Sequence, residues 1–257
     1  MILVNNKKVE LGTFPDGTFR INLNSQFCST ITWRYEGEHE FSALYMITKH
    51  LKHIGSHLKL NLPYVPNARM DRVQSSEEIF TLKYFCKFIN ELNFQHVFVK
   101  DVHSHVALAL LDRVFQMSLV ELRELITDLK PDYLFFPDEG AKKRYASLAQ
   151  DYDIPVYYGT KERDWKTGRI TNFKISEQPI DAKILMIDDI CSYGGTFYYS
   201  IREHYLHNLK TNEFYLYVTH CENSILKGDL AKSNLVKHVY TTKSIFTAES
   251  DWVTVLE

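Results

Sequence analysis

The sequence predicts an α/β protein whose sheets are mostly parallel and whose chain is organised as two lobes. Three observations carry this. Short apolar runs rich in β-branched and aromatic residues alternate with longer runs in which apolar residues recur at helical spacing. The 257 residues are 45% hydrophobic and 24% charged, the balance of a chain that buries a substantial core and not of a disordered or collagen-like one. Two segments, Val97-Phe98-Val99-Lys100-Asp101 and Leu185-Met186-Ile187-Asp188-Asp189, repeat the same device of a strand ending in acid. Two similar lobes meeting near residue 117 would explain that echo, and they divide the chain into 1–116 and 117–257.

The elements follow in order. Phe14-Pro15-Asp16-Gly17 is a turn sequence and Thr18–Leu23 alternates as a strand does, so a β-hairpin precedes the first crossover. Strands are predicted at Leu58–Tyr64, His96–Lys100, Tyr133–Phe136, Ile184–Ile187 and Phe214–Val218. Helices are predicted at Glu40–Ile54, Glu77–Leu92, Leu119–Leu129 and Phe197–Leu209. No Pro/Ser-rich linker or low-complexity tract interrupts them.

Thirty basic against thirty-two acidic side chains leave a formal charge of −2, without the basic excess of a general nucleic-acid or membrane-surface binder. Neither nucleic acid nor membrane is therefore an expected partner, and no apolar run approaches the roughly 20 residues of a membrane span. Cys28, Cys86, Cys191 and Cys221 are widely separated with no CxxC pair, which predicts free thiols in a reducing compartment. With an N-terminus too short and polar for a secretory signal, the expected setting is cytoplasmic.

The stretch most specific for chemistry is Lys183-Ile184-Leu185-Met186-Ile187-Asp188-Asp189-Ile190-Cys191-Ser192-Tyr193-Gly194-Gly195-Thr196. A buried parallel strand delivers two carboxylates to its C-terminal edge, where open α/β sheets place ligands. The loop beyond carries two glycines and then Thr196, expected to cap a helix. Its successive N–H groups and the positive end of the helix dipole suit a phosphate, while Asp188 and Asp189 suit sugar hydroxyls.

This segment resembles the ribose-5-phosphate loop shared by phosphoribosyltransferases and phosphoribosyl pyrophosphate (PRPP) synthetases. Further segments resemble the synthetases. Leu62 to Arg72, ending Ala68-Arg69-Met70-Asp71-Arg72, is similar to their ATP-binding Arg-Gln-Asp-Arg segment. Asp101-Val102-His103-Ser104 resembles Asp-Leu-His-Ala, and Phe136-Pro137-Asp138-Glu139-Gly140-Ala141 resembles Ser-Pro-Asp-x-Gly-Gly. Phe14-Pro15-Asp16-Gly17 resembles the hairpin that reaches the adenine of a neighbouring subunit, and Lys161-Glu162-Arg163 falls where the family carries a catalytic flexible loop. Thr219-His220, with Gly228 further on, resembles a Thr-His-Gly stretch. These occur in family order from residue 14 to about 228. Met70, Thr18 and Tyr193 depart from the pattern, and Val106-Ala107-Leu108-Ala109 replaces the family's Gln-Ile-Gln-Gly.

The resemblance implies two phosphoribosyltransferase-like (type I) lobes, the first binding ATP and the second ribose phosphate. It implies transfer of the β,γ-diphosphate of ATP to the anomeric hydroxyl of ribose 5-phosphate, with Mg²⁺ as cofactor. Lys161, Arg163 and His103 would be catalytic; Arg69, Asp71, Arg72, Phe14 and Asp16 would bind ATP. Asp188, Asp189, Cys191, Ser192, Tyr193, Gly194, Gly195 and Thr196 would bind the ribose phosphate, and His103 with Asp138 would hold the metal. A homo-oligomer, dimer or hexamer, is implied by the shared adenine site. Short phage-type relatives make ADP-ribose an alternative acceptor, in a route rebuilding NAD. A phosphoribosyltransferase and a catalytically silent regulator of a synthetase are the remaining readings, and the aromatic cluster Phe197-Tyr198-Tyr199 is expected to put a ring in the acceptor pocket.

Overall fold

The computed structural model describes residues 1–23, 28–163, 170–176, 179–206 and 211–257, of which 161–163, 170–173 and 204–206 are described by backbone alone. The chain divides into two compact units, Met1–Ser118 and Leu119–Glu257.

The first unit opens with β1 (Ile2–Val4) and β2 (Lys7–Lys8), joined by Asn5 and Asn6 at φ 50° and 64°. Asparagine is one of the few side chains that tolerates this left-handed region, which the tight hairpin turn requires. A second hairpin, β3 (Leu11–Thr13) and β4 (Phe19–Ile21), forms a separate two-stranded sheet around the expected turn. There follow β5 (Thr30–Trp33), α1 (Glu40–His53), β6 (Lys59–Leu62), α2 (Thr81–Glu91), β7 (His96–Lys100), α3 (His105–Leu110) and β8 (Val114–Met117). The six-stranded sheet has the order β2-β1-β5-β6-β7-β8, antiparallel only at β1. Its core gathers Ile31, Trp33, Leu60, Leu62, Val97 and Val99 against Leu44, Ile47, Leu82 and Ile89 of the first two helices.

The second unit comprises α4 (Val120–Leu129), β9 (Tyr133–Phe136), α5 (Glu139–Tyr152), β10 (Val156–Arg163), β11 (Ile170–Ile175), β12 (Lys183–Cys191), α6 (Gly195–Leu206), β13 (Glu213–Cys221), α7 (Asp229–Ser233), β14 (Val236–Thr242) and β15 (Val253–Leu256). Seven strands lie in the order β11-β10-β9-β12-β13-β14-β15, parallel except for the β10–β11 hairpin. Met186 and Ile184 pack with Phe135, Phe214 and Leu216 on one face, while Leu185 and Ile187 pack with Leu134, Phe136 and Tyr217 on the other. A strand buried on both faces reads as an unbroken apolar run, which is why Ile184 to Ile187 shows no alternation.

Several expectations are corrected. The strand holding the aspartate pair runs to Cys191, not Ile187, because its ladder with β13 continues to the pair Cys191↔Cys221. Helix α6 begins at Gly195, so Thr196 is inside its first turn instead of capping it; the Thr196 carbonyl accepts Ser200 Oγ at 2.8 Å. The strand at Leu58–Tyr64 shortens to Lys59–Leu62, since Pro63 has no N–H for a ladder. Helix α5 was not expected: its polar surface hides an apolar stripe of Ala141, Tyr145, Leu148 and Ala149 at positions i, i+4, i+7 and i+8. Among the described residues no helix is long and apolar enough to cross a membrane, and all four cysteines are buried free thiols.

Candidate functional site

The second unit brings its chemistry to the carboxyl ends of β9 and β12. Asp138 stands two residues beyond β9 and caps α5, its Oδ1 accepting the Ala141 N–H at 2.9 Å. On the neighbouring strand Asp188 accepts the Asp189 N–H at 2.9 Å through Oδ1. Asp189 is 4% exposed, and Arg144 on α5 meets it, Nη1 standing 3.2 Å from Oδ2. Burial pushes the Asp188 carboxyl well above the usual carboxylate range, and the charges of Asp189 and Asp138 push it in the same direction.

The loop after β12 is held from beneath. Gly194 has φ 78°, and a Cβ there would stand 2.8 Å from Leu230 of α7. A Cβ on Gly228 would fall 1.9 Å from the Tyr193 carbonyl, so the loop rests directly on that glycine. Ser192 and Thr196 are partly accessible, Gly195 has open space around it, and Tyr193 is 60% exposed at the loop's tip. The loop leads into the start of the 12-residue α6, and the N–H groups of such a loop and helix start are of the kind that suits an anion. Cys191 differs from its neighbours: it is 3% exposed and packs in the core cluster, so its side chain points away from any ligand. Of the aromatic cluster, Phe197 is core, Tyr198 is partly buried against it, and Tyr199 stacks edge-on to Tyr198 with centroids 5.6 Å apart. Thr219 and His220 are buried, and the Thr219 carbonyl accepts the hydroxyls of Thr241, Thr242 and Ser244, tying the ends of β13 and β14 together.

Lys161 and Arg163 fall in β10, where their backbones pair with Phe173 and Ile170 across a register shift at Glu162/Arg163. Their side chains lie outside the described residues. At the base of this hairpin, Lys142 Nζ stands 3.5 Å from the Tyr158 ring centroid, linking α5 to β10.

In the first unit, β6 and β7 are parallel neighbours, with Leu62 opposite Val99, and the Lys100 N–H donates to the Pro63 carbonyl. The loops leaving their carboxyl ends therefore emerge side by side. One carries Arg69, exposed, followed by Asp71 and Arg72, whose Nε lies 3.0 Å from Asp71 Oδ1. The other turns at Asp101, φ 42° and buried, and presents half-buried His103 before Ser104, which caps α3 by accepting the Val106 N–H. At the β3–β4 turn Phe14 is 50% exposed. Asp16 binds its own turn through the Thr18 hydroxyl and N–H, at 2.7 and 3.0 Å, which lowers its carboxyl pKa.

Arg144, Lys142 and the supporting role of Leu230 were not read from the sequence. Arg144 and Lys142 lie on α5, the helix whose polar composition concealed it. Gly228 was noted only within a family motif; its function under Tyr193 depends on a contact 35 residues away in the chain.

No family model matches the chain. It is 26% identical to a ribose-phosphate pyrophosphokinase of Saccharolobus solfataricus, across 96% of this chain and 88% of that protein. A ribose-phosphate pyrophosphokinase of Sulfurisphaera tokodaii is 25% identical over 79% of this chain and 73% of the relative. The fold matches the crystal structure of phosphoribosylpyrophosphate synthetase from Mycobacterium smegmatis with a TM-score of 0.74, covering 97% of this chain and 85% of that one at 17% identity. Two mostly parallel α/β lobes of this kind, the second carrying an acid pair before a glycine loop, define the two-lobed type I phosphoribosyltransferase-like class. Within that class the chain is similar to the ribose-phosphate pyrophosphokinases, also called PRPP synthetases.

Proposed function

We propose that this protein is a ribose-phosphate diphosphokinase, moving the β,γ-diphosphate of ATP onto the anomeric hydroxyl of ribose 5-phosphate and releasing AMP. The observation that carries the reading is the corner formed by Asp188, Asp189 and the loop Ser192–Thr196 at the carboxyl edge of β12. The names and coverage of the relatives support the same class of reaction.

In this scheme the loop N–H groups and Thr196 hold the 5-phosphate, and Asp188 and Asp189 accept the ribose hydroxyls. Arg69 and Arg72 hold the triphosphate, with Asp71 orienting Arg72. Phe14 is assigned to adenine across a subunit boundary, which makes the working form a homo-oligomer. Lys161 and Arg163 are assigned to the charge that spreads over the β-phosphoryl oxygens as the bond to AMP breaks. A cytoplasmic setting is proposed from the four free thiols.

Magnesium fits the donor chemistry of the second unit. Among the described residues no three His, Cys, Asp or Glu side chains converge as a cage, whereas Asp138 stands close enough to raise the pKa of Asp188. Mg²⁺ is typically held by one or two carboxylates, substrate phosphates and water. Asp138 would hold it. Bound there it would neutralise charge on the phosphates.

The acceptor is tested by supplying ATP and Mg²⁺ with either ribose 5-phosphate or ADP-ribose, following AMP and identifying the product by mass spectrometry. Exposed Tyr193 beside the loop is the feature that favours ADP-ribose, since its ring could stack on the second nucleotide. Product from ribose 5-phosphate supports the proposal, product from ADP-ribose alone replaces the acceptor, and absence of AMP in both leaves the silent regulator.

A further inference from the structure

We propose that Lys142 is a positioning residue for the transfer reaction: its ammonium group, seated on the Tyr158 ring, fixes the base of the β10–β11 hairpin and so the direction of the strand that carries Lys161 and Arg163. The catalytic part of this inference rests on the diphosphokinase reading; the anchoring of the hairpin does not.

Tyr158 is the residue at which β10 changes partners. Up to that point β10 belongs to the parallel sheet, with Val156 opposite Leu134 and Tyr158 opposite Phe136 of β9. From Gly159 to Arg163, among the described residues, it pairs with β11 alone, Gly159 opposite Ile175 and Lys161 opposite Phe173. The Ser176 N–H donates to the Tyr158 carbonyl at 2.9 Å and the Tyr158 N–H donates to Ser176 Oγ at 3.0 Å, which closes the base of the hairpin. A two-stranded hairpin is marginally stable by itself, so once it has left the sheet the contacts at its base set its direction.

Lys142 supplies such a contact from outside the hairpin, with Nζ 3.5 Å from the Tyr158 ring centroid. The ring packs against the core cluster beneath α5, so it is a fixed seat. Lys142, Lys143 and Arg144 follow one another near the amino end of α5, where the helix dipole disfavours cations. Arg144 is compensated by Asp189. The ion pair of Lys142 is with exposed Glu139, 3.8 Å away, and contributes little. The aromatic face is the stronger partner, because the attraction between a cation and a ring grows as both leave water. The helix start that bears Asp138, the proposed metal carboxylate, thereby also holds the strand bearing the two proposed catalytic cations.

The test compares AMP release from ATP, Mg²⁺ and ribose 5-phosphate with backbone amide hydrogen exchange, in the intact protein and its variants. Lys142→Met and Tyr158→Leu should each lower kcat about tenfold with KM for both substrates little changed, and should speed exchange over residues 159–161 and 172–175 by a similar factor. Exchange in β12 and β13 should stay as in the wild type. The double variant should be no slower than either single one, since the two changes remove one contact. Lys142→Arg and Tyr158→Phe keep the cation and the ring face, and should retain wild-type kcat and exchange. Wild-type kcat in Lys142→Met overturns the proposal. So does wild-type kcat in Tyr158→Leu, which would show Lys142 acting by charge alone, or a Tyr158→Phe as slow as Tyr158→Leu. If the wild-type protein releases no AMP, the diphosphokinase reading fails, and hairpin exchange in Lys142→Met then decides the anchoring: faster supports it, unchanged refutes it.

Discussion

Arg144 and Asp189 form an ion pair that is largely withdrawn from water, with Nη1 and Oδ2 3.2 Å apart and side-chain exposures of 23% and 6%. The pair joins α5 to β12 at the edge where the candidate sugar site lies. Removing one partner of such a pair leaves the other charge buried, which costs more than the pair contributes when intact. Arg144→Ala should therefore lower stability by about 3 kcal/mol. Arg144→Lys should restore part of that loss. Urea denaturation measures both, and an alanine variant as stable as wild type would remove the pair from the account.

Asp188 behaves in the opposite sense. Its folded-state pKa lies above the unfolded value, so the folded protein retains a proton over a window in which the unfolded chain has lost it. Stability attributable to this group falls as pH rises through that window, which begins near pH 4. Asp188→Asn should raise the melting temperature at neutral pH, by about 2–4 °C for each kcal/mol relieved. The gain should shrink toward pH 4, while the proposed diphosphokinase activity should be lost. Melting curves at several pH values would show whether the difference runs this way.

Gly228 lies under the Tyr193 carbonyl with no room for a methyl group. Gly228→Ala must displace the loop or the helix that follows, at about 1–3 kcal/mol. Binding of ribose 5-phosphate should weaken in step, because the N–H groups that would hold the phosphate belong to the displaced loop. Calorimetric titration checks this, and unchanged affinity would separate the loop from the phosphate.

Lys161→Ala should lower turnover by about two orders of magnitude or more, since electrostatic stabilisation of a phosphoryl transition state is commonly of that size. The KM for ATP should change little. Steady-state kinetics gives both parameters, and an unaltered kcat would remove Lys161 from the proposed mechanism.

Local patterns made much of the framework legible. His96–Lys100 and Tyr133–Phe136 form strands with the bounds their apolar residues indicate. The turn at Phe14 to Gly17 forms because Pro, Asp and Gly each supply a local preference that needs no distant partner. Helix α5 escaped notice because its amphipathic stripe is narrow and its remaining surface carries Lys142, Lys143, Arg144 and Gln150. Strands β14 and β15 and the extension of β12 to Cys191 depend on ladders with neighbours distant in sequence, which no local window contains.

The amino-acid sequence by itself determined the alternation of strands and helices, the acid pair at residues 188 and 189, and the glycine loop that follows. These are properties of spacing and residue type. Only the tertiary structure decided that Arg144 meets Asp189, that Gly228 supports Tyr193, and that Lys142 sits on the Tyr158 ring. Each of those contacts joins segments that strand order and register bring together, and register is a property of paired chains that no single segment encodes.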